Sequence, residues 1–335
     1  MIVVDQVTKS YGATRAVNAL SFTVRPGVVT GFLGPNGAGK STTMRMMMGL
    51  DKPDSGSVTI AGKAYVDHTA PLHEVGALLE AKAIHPGRSA YDHLLALALT
   101  NGIPRRRIAE VLDLVGLTSV ARKRAGAFSL GMGQRLGIAA ALLGDPDVIL
   151  LDEPVNGLDP EGILWIRTLL QDLAAEGRTV FVSSHLISEM ALTAEHLVVV
   201  GRGRLIADTS VDELRRTVAG ASVHVRAPEA ARLGHLLVDD GVTVTSGPDP
   251  QELDVTGLDA ATIGDRAFAA GIAVHALVPR EVSLEEAFMQ LTHDSVEYQP
   301  TSLAVSEGLA VSEGPAVSEG LAVSEGIVTT EGKAA

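Results

Sequence analysis

A chain of 335 residues accommodates one large domain or two ordinary ones, and 46% hydrophobic residues suffice for a substantial core. A formal charge of −13 argues against nucleic acid as a partner, because no segment carries the cationic surplus that a phosphate backbone requires. The lack of cysteine excludes disulfides and thiolate metal sites, and neither a basic leader nor an apolar run of about 20 residues is visible, so the chain is expected to be soluble and to reach any membrane through a partner.

Residues 2–7 and 20–24 read as strands with a turn at Tyr11-Gly12 between them. Tyr11 has two readings: an ordinary edge aromatic, or a ring that stacks on a base, a contact worth about 1–3 kcal/mol. Residues 28–33 form a short apolar run that suits a buried strand. The segment Gly34-Pro35-Asn36-Gly37-Ala38-Gly39-Lys40-Ser41-Thr42 follows, and residues 42–48 then suit a helix. Strand, glycine loop and helix are the context in which G-x-x-x-x-G-K-S binds phosphate. Its glycines let backbone N–H groups approach phosphate oxygens, and the helix N-terminus adds partial positive charge. Lys40 supplies a full charge, and the Ser41 hydroxyl suits Mg²⁺.

Residues 57–60 and 75–80 read as further strands, the second ending on Glu80, and residues 81–89 as a loop. Residues 90–99 and 105–115 show helical periodicity and form a helical insertion. Its Arg105-Arg106-Arg107 run reads either as a solvated helix start or as a contact with an acidic surface. Ser129, ahead of an apolar helix expected over 136–143, is a good N-cap; beside Gly131 and Gly133 it is equally an anion site.

Residues 148–151 are continuously apolar, as in a central parallel strand, and Asp152 and Glu153 follow at its C-terminal end, where open α/β sheets place ligands. Burying two adjacent carboxylates there is costly unless a cation sits between them. Either the two are solvated acids after a strand, or Mg²⁺ on Asp152 relieves that cost and leaves Glu153 to act on water. A turn at 156–160, a helix over 161–175 and a buried strand over 179–184 ending at His185 complete this region, and a hairpin over 196–207 closes a first domain near residue 218.

The pattern then resets. Strand 222–226, helix 228–239, strands 242–246 and 252–256, helix 259–270 and strand 272–277 follow the ferredoxin-like order β-α-β-β-α-β. A last helix over 283–291 has a capping box, Ser283 with Glu286. A hexapeptide repeat over 300–335, with five Glu against one Lys, reads as disordered.

Together these motifs resemble, over about residues 1–218, the nucleotide-binding subunit of an ABC transporter. The phosphate loop is similar to the Walker A motif, 148–153 to Walker B with its catalytic glutamate, Asn156-Gly157-Leu158-Asp159 to the loop that crosses the dimer, His185 to the switch histidine and Tyr11 to the adenine-stacking loop. Residues 128–135 resemble the signature usually written L-S-G-G-Q, with Leu130 in place of the first glycine and Met132 in place of the glutamine. Glu80 stands where the family usually has glutamine, as in antibiotic-export and self-protection systems of the bacitracin and lantibiotic types, and Ser283-Leu284-Glu285-Glu286-Ala287-Phe288 is similar to the end of daunorubicin-resistance-type subunits.

The resemblance implies a P-loop NTPase fold of ABC type with a helical insertion over 1–218, a small α+β accessory domain over 221–293 and a low-complexity tail over 300–335. It implies ATP and Mg²⁺ as cofactors and a second copy of the chain as partner. Each ATP is then held between Walker A of one chain and Ser129 and Gly131 of the other, with Asp159 at the crossing. Ser41, Asp152 and Glu80 are the implied metal ligands, Glu153 the residue that activates water, Lys40 the phosphate ligand and His185 a γ-phosphate contact. A membrane permease at the inner face of the cell membrane is the further expected partner, with residues 80–89 carrying the motion to it. A soluble ATPase acting on ribosomes or DNA, and a nucleotide-dependent regulator, are the alternatives.

Overall fold

Long apolar stretches become strands buried on both faces, and alternating ones become strands buried on one. The computed structural model describes residues 1–80, 84–218, 222–239 and 241–280. β1 (Ile2–Tyr11) and β2 (Thr14–Val24) are half-buried and pair antiparallel. Every residue of β3 (Val29–Leu33) is buried, and α1 (Lys40–Met47) follows the glycine loop. β4 (Ser55–Ile60) adds to β1, giving a three-stranded antiparallel sheet of order β2-β1-β4.

After the short α2 (Pro71–Glu74) and β5 (Val75–Leu78), three helices intervene: α3 (Ala90–Thr100), α4 (Arg106–Leu114) and α5 (Leu130–Leu142). This is the expected helical insertion. Within its arginine run, Arg107 is bound within the fold: its guanidinium donates to the Leu142 and Leu143 carbonyls at 3.1 and 3.4 Å, capping the end of α5. α5 begins at Leu130, six residues earlier than expected. The Ser129 hydroxyl accepts from Met132 N at 3.2 Å and starts the helix, so the glycine-containing signature forms its first turns.

β6 (Val148–Leu151), α6 (Pro160–Ala175), β7 (Thr179–Ser184), α7 (Ile187–Ala191), β8 (His196–Gly201), β9 (Arg204–Ser210) and α8 (Val211–Val218) complete the first part. The main sheet has order β5-β6-β7-β3-β8-β9, parallel except for β9. One core lies between this sheet and the helices α3 to α6. A second lies between the two sheets and α1, where the rings of Phe22, Phe32 and Phe181 meet at centroid distances of 5.1–5.7 Å.

The remaining elements are β10 (Ser222–Arg226), α9 (Ala230–Leu237), β11 (Thr243–Ser246), β12 (Glu252–Thr256), α10 (Ala260–Ala269) and β13 (Ala276–Arg280). Their antiparallel order β11-β12-β10-β13 is ferredoxin-like, around a core of their own. The last strand lies four residues later than expected. Ile272 is spent on the core under α10, and Pro279 is tolerated because β13 is an edge. The expected helix 283–291 and the repeat 300–335 lie outside the described residues.

Candidate functional site: a lysine between a glycine loop and two carboxylates

The parallel register sets the site. Leu33 pairs with Ser184, and Leu151 with Val182, so β3, β7 and β6 end side by side along one rim of the sheet. The glycine loop leaves β3 there, Asp152 and Glu153 leave β6, and His185 leaves β7.

The loop is braced from behind by backbone. Gly203 N donates to Ala38 O at 3.1 Å, and Asn18 N donates to Gly203 O at 2.8 Å. A Cβ on Gly34 would lie 2.4 Å from Val200 O, and one on Gly39, at φ +97°, would lie 2.5 Å from Ala16 O. Glycine is required at both positions by close backbone approach, and at Gly39 also by conformation. Ser41 is exposed in the first turn of α1 and Thr42 is half-exposed beside the loop.

Lys40 is buried. Its ammonium donates to Gly34 O at 2.7 Å and Pro35 O at 3.3 Å and lies 3.9 Å from Glu153 Oε1. Burial pushes its pKa down, while the charges of Glu153 and Asp152 work in the other direction. A cation wrapped in its own loop carbonyls is well placed to exchange them for phosphate oxygens.

Glu153 adopts φ +49°, a left-handed conformation that non-glycine residues seldom take and that turns the chain sharply at the strand end. Three contacts of its own and one of Pro154 hold it there. Its N–H donates to Ser183 Oγ at 2.9 Å, and its carbonyl accepts from Gln134 Nε2 at 3.3 Å, while the same amide reaches Pro154 O at 2.9 Å. His185 Nδ1 lies 2.9 Å from Glu153 Oε2. A carboxylate oxygen accepts, so His185 donates from Nδ1 in this contact. Ser183 Oγ in turn donates to Asp152 Oδ1.

Lys40, Asp152, Glu153 and His185 are thus brought together, joined by Ser183 and Gln134, which the sequence reading missed. Both signals were faint: a polar residue closing an otherwise apolar strand, and a glutamine that is only 3% exposed on α5. Ser129 and Gly131 belong to a different constellation. They open α5, where the Ser129 hydroxyl caps the helix and a Cβ on Gly131 would lie 2.8 Å from Gly157 O. Asp159 caps α6, accepting from Gly162 N at 2.9 Å. Tyr11 is half exposed at the end of β1 and donates to Asp51 Oδ2 at 2.8 Å, which pushes its own pKa up. Glu80 is exposed after β5, and its charge raises the pKa of Arg45 slightly, behind the larger effect of Asp51.

Among the described residues no three His, Asp or Glu side chains are grouped to cage a metal. The Asp152 carboxylate and the exposed Ser41 hydroxyl are hard oxygen donors of the kind Mg²⁺ takes, one or two from the protein with phosphates and water completing its shell. A cleft of about 860 Å³ opens at the opposite rim, beside Asp5, Arg25, Glu195 and His196, away from these groups.

A family described as ABC transporter matches residues 17–156, and a domain of unknown function matches residues 221–285. The bacitracin transport ATP-binding protein BcrA of Bacillus licheniformis is 42% identical over 219 residues, 64% of this chain and 72% of that protein. The lantibiotic transport ATP-binding protein SrtF of Streptococcus pyogenes is 35% identical over 212 residues, 63% of this chain and 92% of that one. A dimeric ATP-binding cassette solved in a post-hydrolysis state with ADP and Pi matches with TM-score 0.58 and 26% identity, covering 63% of this chain and 99% of that chain.

Proposed function

Because this chain belongs to the ABC transporter family of ATP-binding subunits, we propose that it drives export of an antibiotic-like compound through a membrane permease. It is an ATPase that powers a permease. The export of an antibiotic is our inference from the bacitracin and lantibiotic relatives. The single observation that carries the site reading is the buried Lys40 ammonium, held 3.9 Å from Glu153 at the mouth of the glycine loop.

In this reading the loop amides of residues 34–42 and Lys40 hold the ATP phosphates, with Tyr11 against the adenine. Ser41, Asp152 and Glu80 are the residues that would hold Mg²⁺, which when bound offsets phosphate charge. Glu153 draws a proton from water as it attacks the γ-phosphate. His185 keeps the Glu153 carboxylate oriented through Nδ1–H and donates from Nε2–H to the phosphate. Catalysis is then mainly positioning and electrostatics.

Two copies assemble head to tail, and Ser129 and Gly131 of each complete the site of the other, with Asp159 at the crossing. An isologous pair achieves this with one kind of chain. ATP closes the pair because the γ-phosphate is shared, and hydrolysis removes that bridge. We assign residues 1–218 to the ATPase domain, 221–293 to an accessory domain and 300–335 to a tail. No helix among the described residues is long and apolar enough to cross a membrane. We place the protein on the inner face of the cell membrane, held there by its permease.

Affinity capture of the chain from detergent-solubilised membranes of its own host tests the reading. Co-purification of a multi-span membrane protein, together with raised antibiotic sensitivity when Lys40→Ala replaces the wild type, is the expected result. Recovery of ribosomes instead would refute it.

A further inference from the structure

Leu130 and Gly157 are fitted to one another. Leu130 is the first residue of α5, directly after the Ser129 cap. A Cβ built on Gly157, at φ +78°, would lie 2.4 Å from both Cγ and Cδ2 of Leu130, so the leucine side chain rests on the glycine α-carbon. Gly131 closes the same contact from the backbone side, with no room for a Cβ against Gly157 O. One turn further along α5, Gln134 binds the Glu153 and Pro154 carbonyls, and the Arg135 guanidinium covers the Trp165 ring at 4.6 Å. The start of α5 therefore grips the segment from Glu153 to α6 at successive points. Leu130 is the outermost of these grips, and 55% of it is exposed.

We propose that Leu130 is a positioning residue for ATP hydrolysis. Its side chain locks the loop of residues 156–159 to the Ser129 end of α5, so that both segments reach the partner's nucleotide as one body. The proposal rests on the two-chain reading above. With a small residue at 130, the outermost of these grips on the loop is lost, and ordering that part of it must be done afresh each time the pair closes. That cost falls on closure. It spares binding of nucleotide to one chain, because the phosphate loop is built from residues 34–42 and braced by residues 16, 200 and 203.

The test is a cycle of Leu130→Gly, Gly157→Ala and the double variant, with Leu130→Met as the conservative control. Steady-state hydrolysis is measured over ATP and protein concentration, and binding of a fluorescent ADP analogue to each variant is measured separately. Leu130→Gly should raise KM for ATP about two- to tenfold, the range expected for ordering one loop contact, with ADP affinity unchanged. Leu130→Met should restore most of the loss. Gly157→Ala meets the leucine directly, so much of its penalty should vanish in the double variant, while the backbone strain at φ +78° is common to both backgrounds and cancels. A KM and kcat for Leu130→Gly equal to wild type, strictly additive substitutions, or no rescue by methionine would each overturn the proposal. A wild-type rate per chain that ignores protein concentration would overturn the two-chain reading and this proposal with it. A concentration-dependent wild type with an indifferent Leu130→Gly overturns this proposal alone.

Discussion

Glu153 gathers most of the contacts of the candidate site on one residue. Its Oε2 is hydrogen-bonded to His185, its Oε1 faces Lys40, and its backbone is held in a left-handed turn by Ser183 and Gln134. Glu153→Gln keeps shape and volume and removes only the basicity and the negative charge. Turnover should fall at least about 10²-fold, the low end for a lost general base. ATP affinity should hold or rise, because a negative charge close to the γ-phosphate has gone. Single-turnover hydrolysis beside equilibrium nucleotide binding separates the two effects, and near-normal turnover would remove the assigned role.

A second residue, His93 on α3, reports on stability. Burial, helped by Arg88, pushes its pKa below the ordinary 6.5, and its Nδ1 is buried without a hydrogen-bond partner. The unfolded chain therefore takes up this proton more readily than the folded one. Above pH 6.5 both states are neutral at this site and it has no effect on stability. As pH falls through the ordinary value, the unfolded state gains and stability declines. Thermal unfolding from pH 8 to pH 5 should show a slope in that window that is shallower in His93→Gln. An unchanged slope would show that His93 does not govern it.

At the scale of elements, the site depends on how closely α5 lies against β5. A Cβ on Gly76 would fall 2.0 Å from Ala141 O, a contact of backbone with backbone that no rotamer relieves. Gly76→Ala should therefore destabilise the fold by about 1–3 kcal/mol, the usual cost of overpacking, seen as a lower midpoint in urea at unchanged m. A midpoint equal to wild type would mean that α5 is free to shift. The same contacts explain what could be read from sequence. The phosphate loop, the carboxylates after β6 and the histidine after β7 were legible because each sits at the end of an apolar strand, and strand ends are a local property. Gln134 and Ser183 were not, because their partners lie 19–31 positions away along the chain. The start of α5 was hidden for another reason. Leu130-Gly131-Met132-Gly133 has poor helix propensity, and the Ser129 cap with packing on the 153–158 segment outweighs it. Pro279 masked β13 in the same way, since only the tertiary arrangement makes that strand an edge.

For the molecule as a whole, the decisive question is where each nucleotide finds its Ser129. In one chain, Lys40 belongs to the rim cluster with Glu153 and His185, while the Ser129 hydroxyl caps the start of α5. If two chains complete each other, one site takes Lys40 from the first and Ser129 from the second. Lys40→Ala and Ser129→Ala should then each be inactive alone. Mixed, they complement: a heterodimer pairs the intact loop of the Ser129→Ala chain with the intact Ser129 of the Lys40→Ala chain. Random pairing of equal amounts places half of the chains in heterodimers, each with one good site in two, so about a quarter of wild-type activity should return if sites act independently. Loss of the Ser129 cap by itself costs only about 1 kcal/mol, so the variant remains folded enough to lend its phosphate loop. Recovery should grow with protein concentration, as pairing does. A mixture as inactive as its components, with both variants shown to be folded, would place Ser129 and Lys40 in service of the same chain or of none.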